Sequence, residues 1–222
     1  EVLPDANSDP GEEHMDVGFL ANLAIAQIQL GMKVSEVYSP PRVAKLANRM
    51  NMQQGFSIDL REVDPEDGKP WDLNDPTKRS KIENRVREEK PLLLVGSPPC
   101  TAFSTLFSSN ISRMNPKEVQ EKITEGMTHL NFCIKLYRIQ LDGNRYFLHE
   151  HPWGAWSWKT KGMLAMLADP RVNAVKGHMC AQGMYIPQKA GEPKPAFKPT
   201  GWMSNSPFIL KELSKQCTNL QN

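Results

Sequence analysis

From residue 33 onward the chain alternates short runs rich in apolar residues with longer stretches in which apolar residues return every three or four positions. The short runs are KVSEVYS (Lys33 to Ser39), GFSIDL (Gly55 to Leu60), PLLLVGS (Pro91 to Ser97) and NRYFLHEHP (Asn144 to Pro152), and they have the length and the content of strands. Between them the spacing predicts helices over PPRVAKLANRMN, opened by proline where a missing N–H does no harm, and over Thr77 to Glu89. A long helix follows, with Val119, Ile123, Met127, Leu130, Ile134, Tyr137 and Leu141 on one face, Asn115 and Pro116 at its start and Gly143 at its stop. Weaker signals predict a helix from Val17 to Leu30 ended by Gly31, another near Thr160 to Ala168, and a Pro/Lys-rich loop from Pro187 to Thr200. There is no internal repeat. Residues 1–15, acidic and punctuated by Pro and Gly, are expected to be a flexible leader, and 16–222 a single domain with its regular part at 33–152.

Strands alternating with helices of this length predict an α/β fold: a three-layer, Rossmann-like arrangement with a mainly parallel sheet covered on both faces. Such sheets bind ligands at the carboxyl ends of their strands, beside the point where strand order reverses. Cys100 and Glu150 both fall just beyond predicted strand ends.

Composition changes this picture little. A chain of 222 residues with 39% hydrophobic and 23% charged residues fits one soluble domain. The net charge of +2 hides an asymmetry: the first 32 residues hold six acids and no Lys or Arg, so the remainder carries 27 basic against 19 acidic groups, a net +8. A basic body is compatible with a polyanionic partner. Cys100, Cys133, Cys180 and Cys217 show no paired spacing, which argues against a disulfide framework or compact zinc site and for a reducing intracellular compartment, nucleus or cytoplasm. The apolar stretch from Val17 to Met32 is interrupted by Asn22, Gln27 and Gln29 and falls short of the roughly 20 residues a membrane span needs, so no membrane is expected as a partner.

The strand-end residues carry a resemblance. PPCTAFS resembles the catalytic loop of cytosine-C5 methyltransferases, Pro-Cys-Gln-x-Phe-Ser: Pro99, Cys100, Phe103 and Ser104 match, and Thr101 stands where glutamine is usual. FLHEHP resembles that family's next strand, which ends in Glu-Asn-Val; Glu150 matches, while His151 and Pro152 depart. Asp59 falls where class I methyltransferases set a carboxylate against the ribose of S-adenosylmethionine, and Asp72, in WDLNDP, where another acid approaches the adenine. The likeness covers residues 33–152. It implies the class I methyltransferase fold, S-adenosylmethionine as cofactor and Cys100 and Glu150 as catalytic residues. It also implies cofactor contacts from Glu36, Tyr38, Ser39, Asp59, Asp72, Ser97 and Pro98, substrate contacts from Pro99, Thr101, Phe103, Ser104 and His151, and no metal. The implied partner is nucleic acid, DNA ahead of RNA.

Three departures stand beside it. The loop EVYSPPRVA lacks the glycine usual after the first strand, CAQGMYIPQK lacks both arginines of the Gln-x-Arg-x-Arg motif, and the 70 residues after Pro152 are too few for a target-recognition domain, which a partner domain or chain is expected to supply. KPTGWMSNSPFILKELSKQC and EVYSPPRV are also similar to an uncharacterised methyltransferase-like segment of retroelement polyproteins, found beside reverse transcriptase. In that pattern histidines follow the cysteine equivalent to Cys217, where this chain has TNLQN, and an excerpt of a longer protein is the expectation.

The chemistry explains the residue types. C5 of cytosine is too poor a nucleophile to take a methyl group unaided, so a thiolate first adds at C6 and pushes electron density toward C5. An accessible cysteine near a helix N-terminus suits that role, and an acid beside the pyrimidine N3 stabilises the charge that develops. The base must be flipped out of a duplex or presented single-stranded. Two alternatives remain open. SPPC also resembles the Ser/Asn/Asp-Pro-Pro-aromatic loop of amino-methyltransferases, which need no cysteine, and the glycine-free loop fits a nucleic-acid-binding module that has lost catalysis.

Overall fold

Lys33–Val37 forms β1, a strand almost wholly buried, and the chain leaves it through Tyr38 and two prolines into the short helix α1, Val43–Ala47. The opening N–H groups of this helix find their acceptor inside the protein: Glu36 Oε1 receives both Arg42 N–H and Ala44 N–H at 2.8 Å. After β2 (Gln53–Ile58) a long loop leads to α2, Pro76–Glu89, where Asp75 accepts the Thr77 N–H at 2.7 Å and proline takes the first turn. Next come β3 (Leu93–Gly96), the short helix α3 (Thr105–Asn110) and the long helix α4 (Pro116–Asp142), capped by Asn115. β4 (Tyr146–Pro152) and α5 (Lys161–Leu167) follow, then β5 (Asn173–His178). The chain continues through a two-stranded hairpin, β6 (Tyr185–Ile186) with β7 (Lys194–Pro195), and ends in β8 (Pro199–Ser204) and α6 (Pro207–Leu213). The computed structural model describes residues 31–189 and 191–217; the predicted leader and the helix from Val17 to Leu30 lie outside the described residues.

The main sheet has the order β2-β1-β3-β4-β8-β5. β2, β1, β3 and β4 run parallel, and β8 inserts antiparallel between β4 and β5. Alternation along the strands sends Leu94, Phe147 and Met203 to one face, against buried residues of α2, α4 and α5, and Val95, Leu148 and Trp202 to the other, against Leu210 of α6. Helices therefore cover both faces, and the fold is the Rossmann-like α/β class expected, with strand order reversing between β1 and β3. Two expectations need correction. The region after residue 152 adds two strands to the same sheet, and Pro187 to Thr200 holds β7 and the start of β8, because the groups that look loop-like in sequence pair with β6 and with β4 and β5. Among the described residues no helix is long and apolar enough to cross a membrane.

Candidate active site

β3 ends at Gly96, and Ser97 N–H still bonds to Val37 O at 3.2 Å, but Pro98 and Pro99 have no N–H to continue the ladder. The chain turns out of the sheet, and Cys100 opens a single 3₁₀ turn, its carbonyl accepting from Phe103 N–H at 3.0 Å. Phe103 anchors this turn from below. It is fully buried, edge-on to Trp156 at 4.7 Å and to His151 at 5.6 Å, and Trp156 Nε1 donates to Ala102 O at 3.0 Å. From the other side α4 can approach only because residue 126 is glycine, where a Cβ would stand 2.9 Å from that of Ala102. Three substrate contacts expected from the sequence are corrected by this packing. Phe103 and His151 are buried beneath the loop, and the Ser104 hydroxyl caps α3, accepting from Phe107 N–H at 3.1 Å and donating to Thr101 O. Pro99 and Thr101 are exposed.

Glu150 emerges from β4 opposite Trp202 of β8. Its carboxylate is 20% exposed and lies 3.1 Å from Lys198 Nζ. The half-buried thiol of Cys100 feels both groups: burial pushes it up, the charge of Glu150 pushes it further, and Lys198 pulls it down. Cys100 and Glu150 thus stand at the same ends of the adjacent parallel strands β3 and β4. Behind them, His149 and His151 lie within the core with ring centres 5.3 Å apart, their Nδ1 atoms bonded to the Tyr137 hydroxyl at 3.0 Å and the Ser157 hydroxyl at 2.7 Å. Burial holds both below the usual histidine range, so they are neutral supports.

Beside the cysteine loop, where strand order reverses, a cleft of about 240 Å³ is lined by Tyr38, Asp59, Trp71, Asp72, Ser97 and His129, among others. It continues along α4 into a second hollow of about 240 Å³ that shares Pro99, Glu125 and His129 and is flanked by Thr101, Ala102 and Gly126. Asp59 Oδ1 accepts from Arg61 N–H at 3.1 Å, while Oδ2 has no partner among the described residues. Asp72 is exposed on the cleft's rim, with Oδ1 accepting from Asn74 N–H at 2.9 Å. Trp71 is held by the buried ammonium of Lys78, 4.9 Å over its ring, which also bonds Asp64 and Asp67 and ties the loop to α2. Tyr38 occupies the left-handed region at φ 59°, and its hydroxyl bonds His129 Nδ1 at 2.9 Å. Glu36 and Ser39 are corrected as cofactor contacts. The carboxylate is buried with Oε1 on the start of α1 and Oε2 on the Ser39 hydroxyl at 2.9 Å, so both side chains shape the loop from within. Pro98 is likewise buried.

Sequence reasoning missed Trp71, Glu125 and His129 and read Lys198, with Lys189 and Lys194, as a phosphate contact or a solvated loop residue, not as a partner of Glu150. For the α4 pair a signal existed, since Gly126 interrupts an otherwise good helix and His129 stands one turn on. Among the described residues no group of three or more metal-ligating side chains assembles.

Fold and cleft together define an α/β protein with a crevice at the point where strand order reverses and the cysteine loop beside it. No protein-family model and no curated protein matches the chain. Among solved structures, a methyltransferase of Entamoeba histolytica, EhMeth, is similar at 13% identity, with a TM-score of 0.44 over 80% of this chain and 54% of that one. The chain therefore spans about half the length of that protein, and a likeness of this extent assigns no activity.

Proposed function

We propose that the protein is an S-adenosylmethionine-dependent methyltransferase acting on cytosine C5 in nucleic acid. The observation that supports this reading is the placement of Cys100 just past the end of β3, beside Pro99 of the cleft wall, and of Glu150 near the end of the adjacent parallel strand β4, paired with Lys198 at 3.1 Å. The cleft suits the cofactor on its own features. Asp59 offers a free oxygen for a ribose diol, Trp71 and Leu73 give apolar wall for a flat base, and Asp72 stands on the rim.

S-adenosylmethionine supplies an electrophilic methyl group. In the substrate, Cys100 sulfur adds to C6 as the thiolate, and the C5–C6 π pair moves into the ring toward C5 and N3, where Glu150, having taken up a proton from solvent, donates it to N3 and gets it back when the ring re-forms. Once C5 is methylated, a base removes the C5 proton, the pair re-forms the double bond, and the C6–S bond breaks to return the thiolate. The base reaches the cysteine either flipped out of a duplex or presented single-stranded. Labelled methyl should pass from S-adenosylmethionine to cytosine-bearing oligonucleotides with the wild type and not with Cys100→Ser. Transfer that survives Cys100→Ser and lands on an exocyclic amine would replace this reading with the amino-methyltransferase one.

A further inference from the structure

Lys198 belongs to neither strand-end motif, yet it is firmly placed. Its carbonyl accepts from Met179 N–H at 3.1 Å and from the Thr200 hydroxyl at 3.3 Å, fixing the backbone at the entry to β8. From there its ammonium reaches across to β4 and stands 3.1 Å from Glu150 Oε1. As a stabilising device such a pair does little, since the lysine side chain is 47% exposed and exposed ion pairs are screened by water. Its consequence is local. Resting on the reading of Cys100 and Glu150 as nucleophile and stabilising acid, we infer that Lys198 is their charge partner: its ammonium orients the Glu150 carboxylate and offsets that carboxylate's repulsion of a thiolate at Cys100.

Each element packed against the thiol has a defined part. β4 presents Glu150, whose negative charge opposes ionisation, and His151, which burial keeps neutral. The entry to β8 presents Lys198, which favours ionisation. Across the groove α4 presents Lys122, Glu125 and His129 beside Pro99 and Thr101. With burial as the largest influence, the thiol of the free protein is held protonated. A pyrimidine that donates a hydrogen bond to Glu150 masks the carboxylate and leaves Lys198 unopposed beside the sulfur. The thiol then gives its proton to solvent and the thiolate forms where its target already sits, so Lys198 is a positioning residue that couples base binding to activation of the nucleophile.

Alkylation of Cys100 by iodoacetamide across the neutral-to-alkaline range, followed by mass spectrometry on the Cys100 peptide alone, tests this without cofactor or nucleic acid. A failure here is therefore distinguishable from a failure of the methyltransferase reading. Lys198→Met should shift the alkylation midpoint to higher pH and slow the reaction at mildly alkaline pH by about three- to tenfold, as a shift of half to one pKa unit does. Lys198→Arg should restore the wild-type profile, Glu150→Gln should move it to lower pH, and the double variant Lys198→Met/Glu150→Gln should lie nearer the wild type than Lys198→Met does. A Lys198→Met profile superimposable on the wild type, or a shift that arginine does not reverse, would overturn the inference.

Discussion

Two residues shape the cleft at the ends of β1 and β2. Tyr38 adopts a φ of 59°, a region that disfavours side chains, at the place where the resembled family has a glycine-bearing loop. Its tie to His129 at 2.9 Å provides the compensation, and the ring becomes part of the cleft wall instead of an obstruction across it. Asp59 uses one oxygen to close its own turn and leaves the other open toward the cleft. Asp59→Ala is expected to weaken S-adenosylmethionine binding by about 1.5–3 kcal/mol, the usual loss when a charged hydrogen-bond partner is removed. Isothermal titration reads this directly, and equal affinities in the two proteins would remove Asp59 from the site. At this scale the sequence was only half informative. An acid after a strand is the same letter whether it lines a cleft, as Asp59 does, or turns inward to start a helix, as Glu36 does.

β4 is the element on which both site and stability converge. It turns His149 and His151 into the core and leaves Glu150 partly exposed beside Lys198. Both histidines stay neutral in the folded protein, their titration depressed first by burial, while in the unfolded chain they take up a proton below the ordinary value of 6.5. The unfolded state then binds more protons than the native one, so stability is full above that value and falls as pH drops beneath it, with a limiting slope of about 1.4 kcal/mol per pH unit for His149, the more strongly depressed of the two. Urea unfolding from about pH 5 to about pH 8 should show this slope, and His149→Gln should remove one such increment; a flat dependence in the wild type would show that the pair titrates in the folded state. Elements with their own signals were legible in the sequence. α4 has an unbroken stripe and a cap at its start, and its predicted start and stop hold. α3 was missed because TLFSSN has neither stripe nor length. β8 was missed because Pro199 and Gly201 look like a loop, and a strand forms there only because β4 and β5 offer pairing on both sides.

Across the whole molecule, four parallel strands carry Tyr38, Asp59, the cysteine loop and Glu150 to one end of the sheet, the end at which such folds bind their ligands. That much follows from strand order, and Cys100 and Glu150 could be placed there from the sequence. Lys198 could not, because its position depends on β8 crossing back beside β4, a long-range pairing with no local mark. The chemistry at the cysteine is the central claim, and a trapped adduct reads it most directly. An oligonucleotide carrying 5-fluorocytosine has no C5 proton to lose after methylation, so the Cys100–C6 bond cannot be released. With S-adenosylmethionine present, the wild type should shift to a slower band on a denaturing gel, with the label mapping to Cys100, and Cys100→Ser should show no shift. Methylated product from an unmodified oligonucleotide without any adduct on the fluorinated one would contradict the role given to this cysteine.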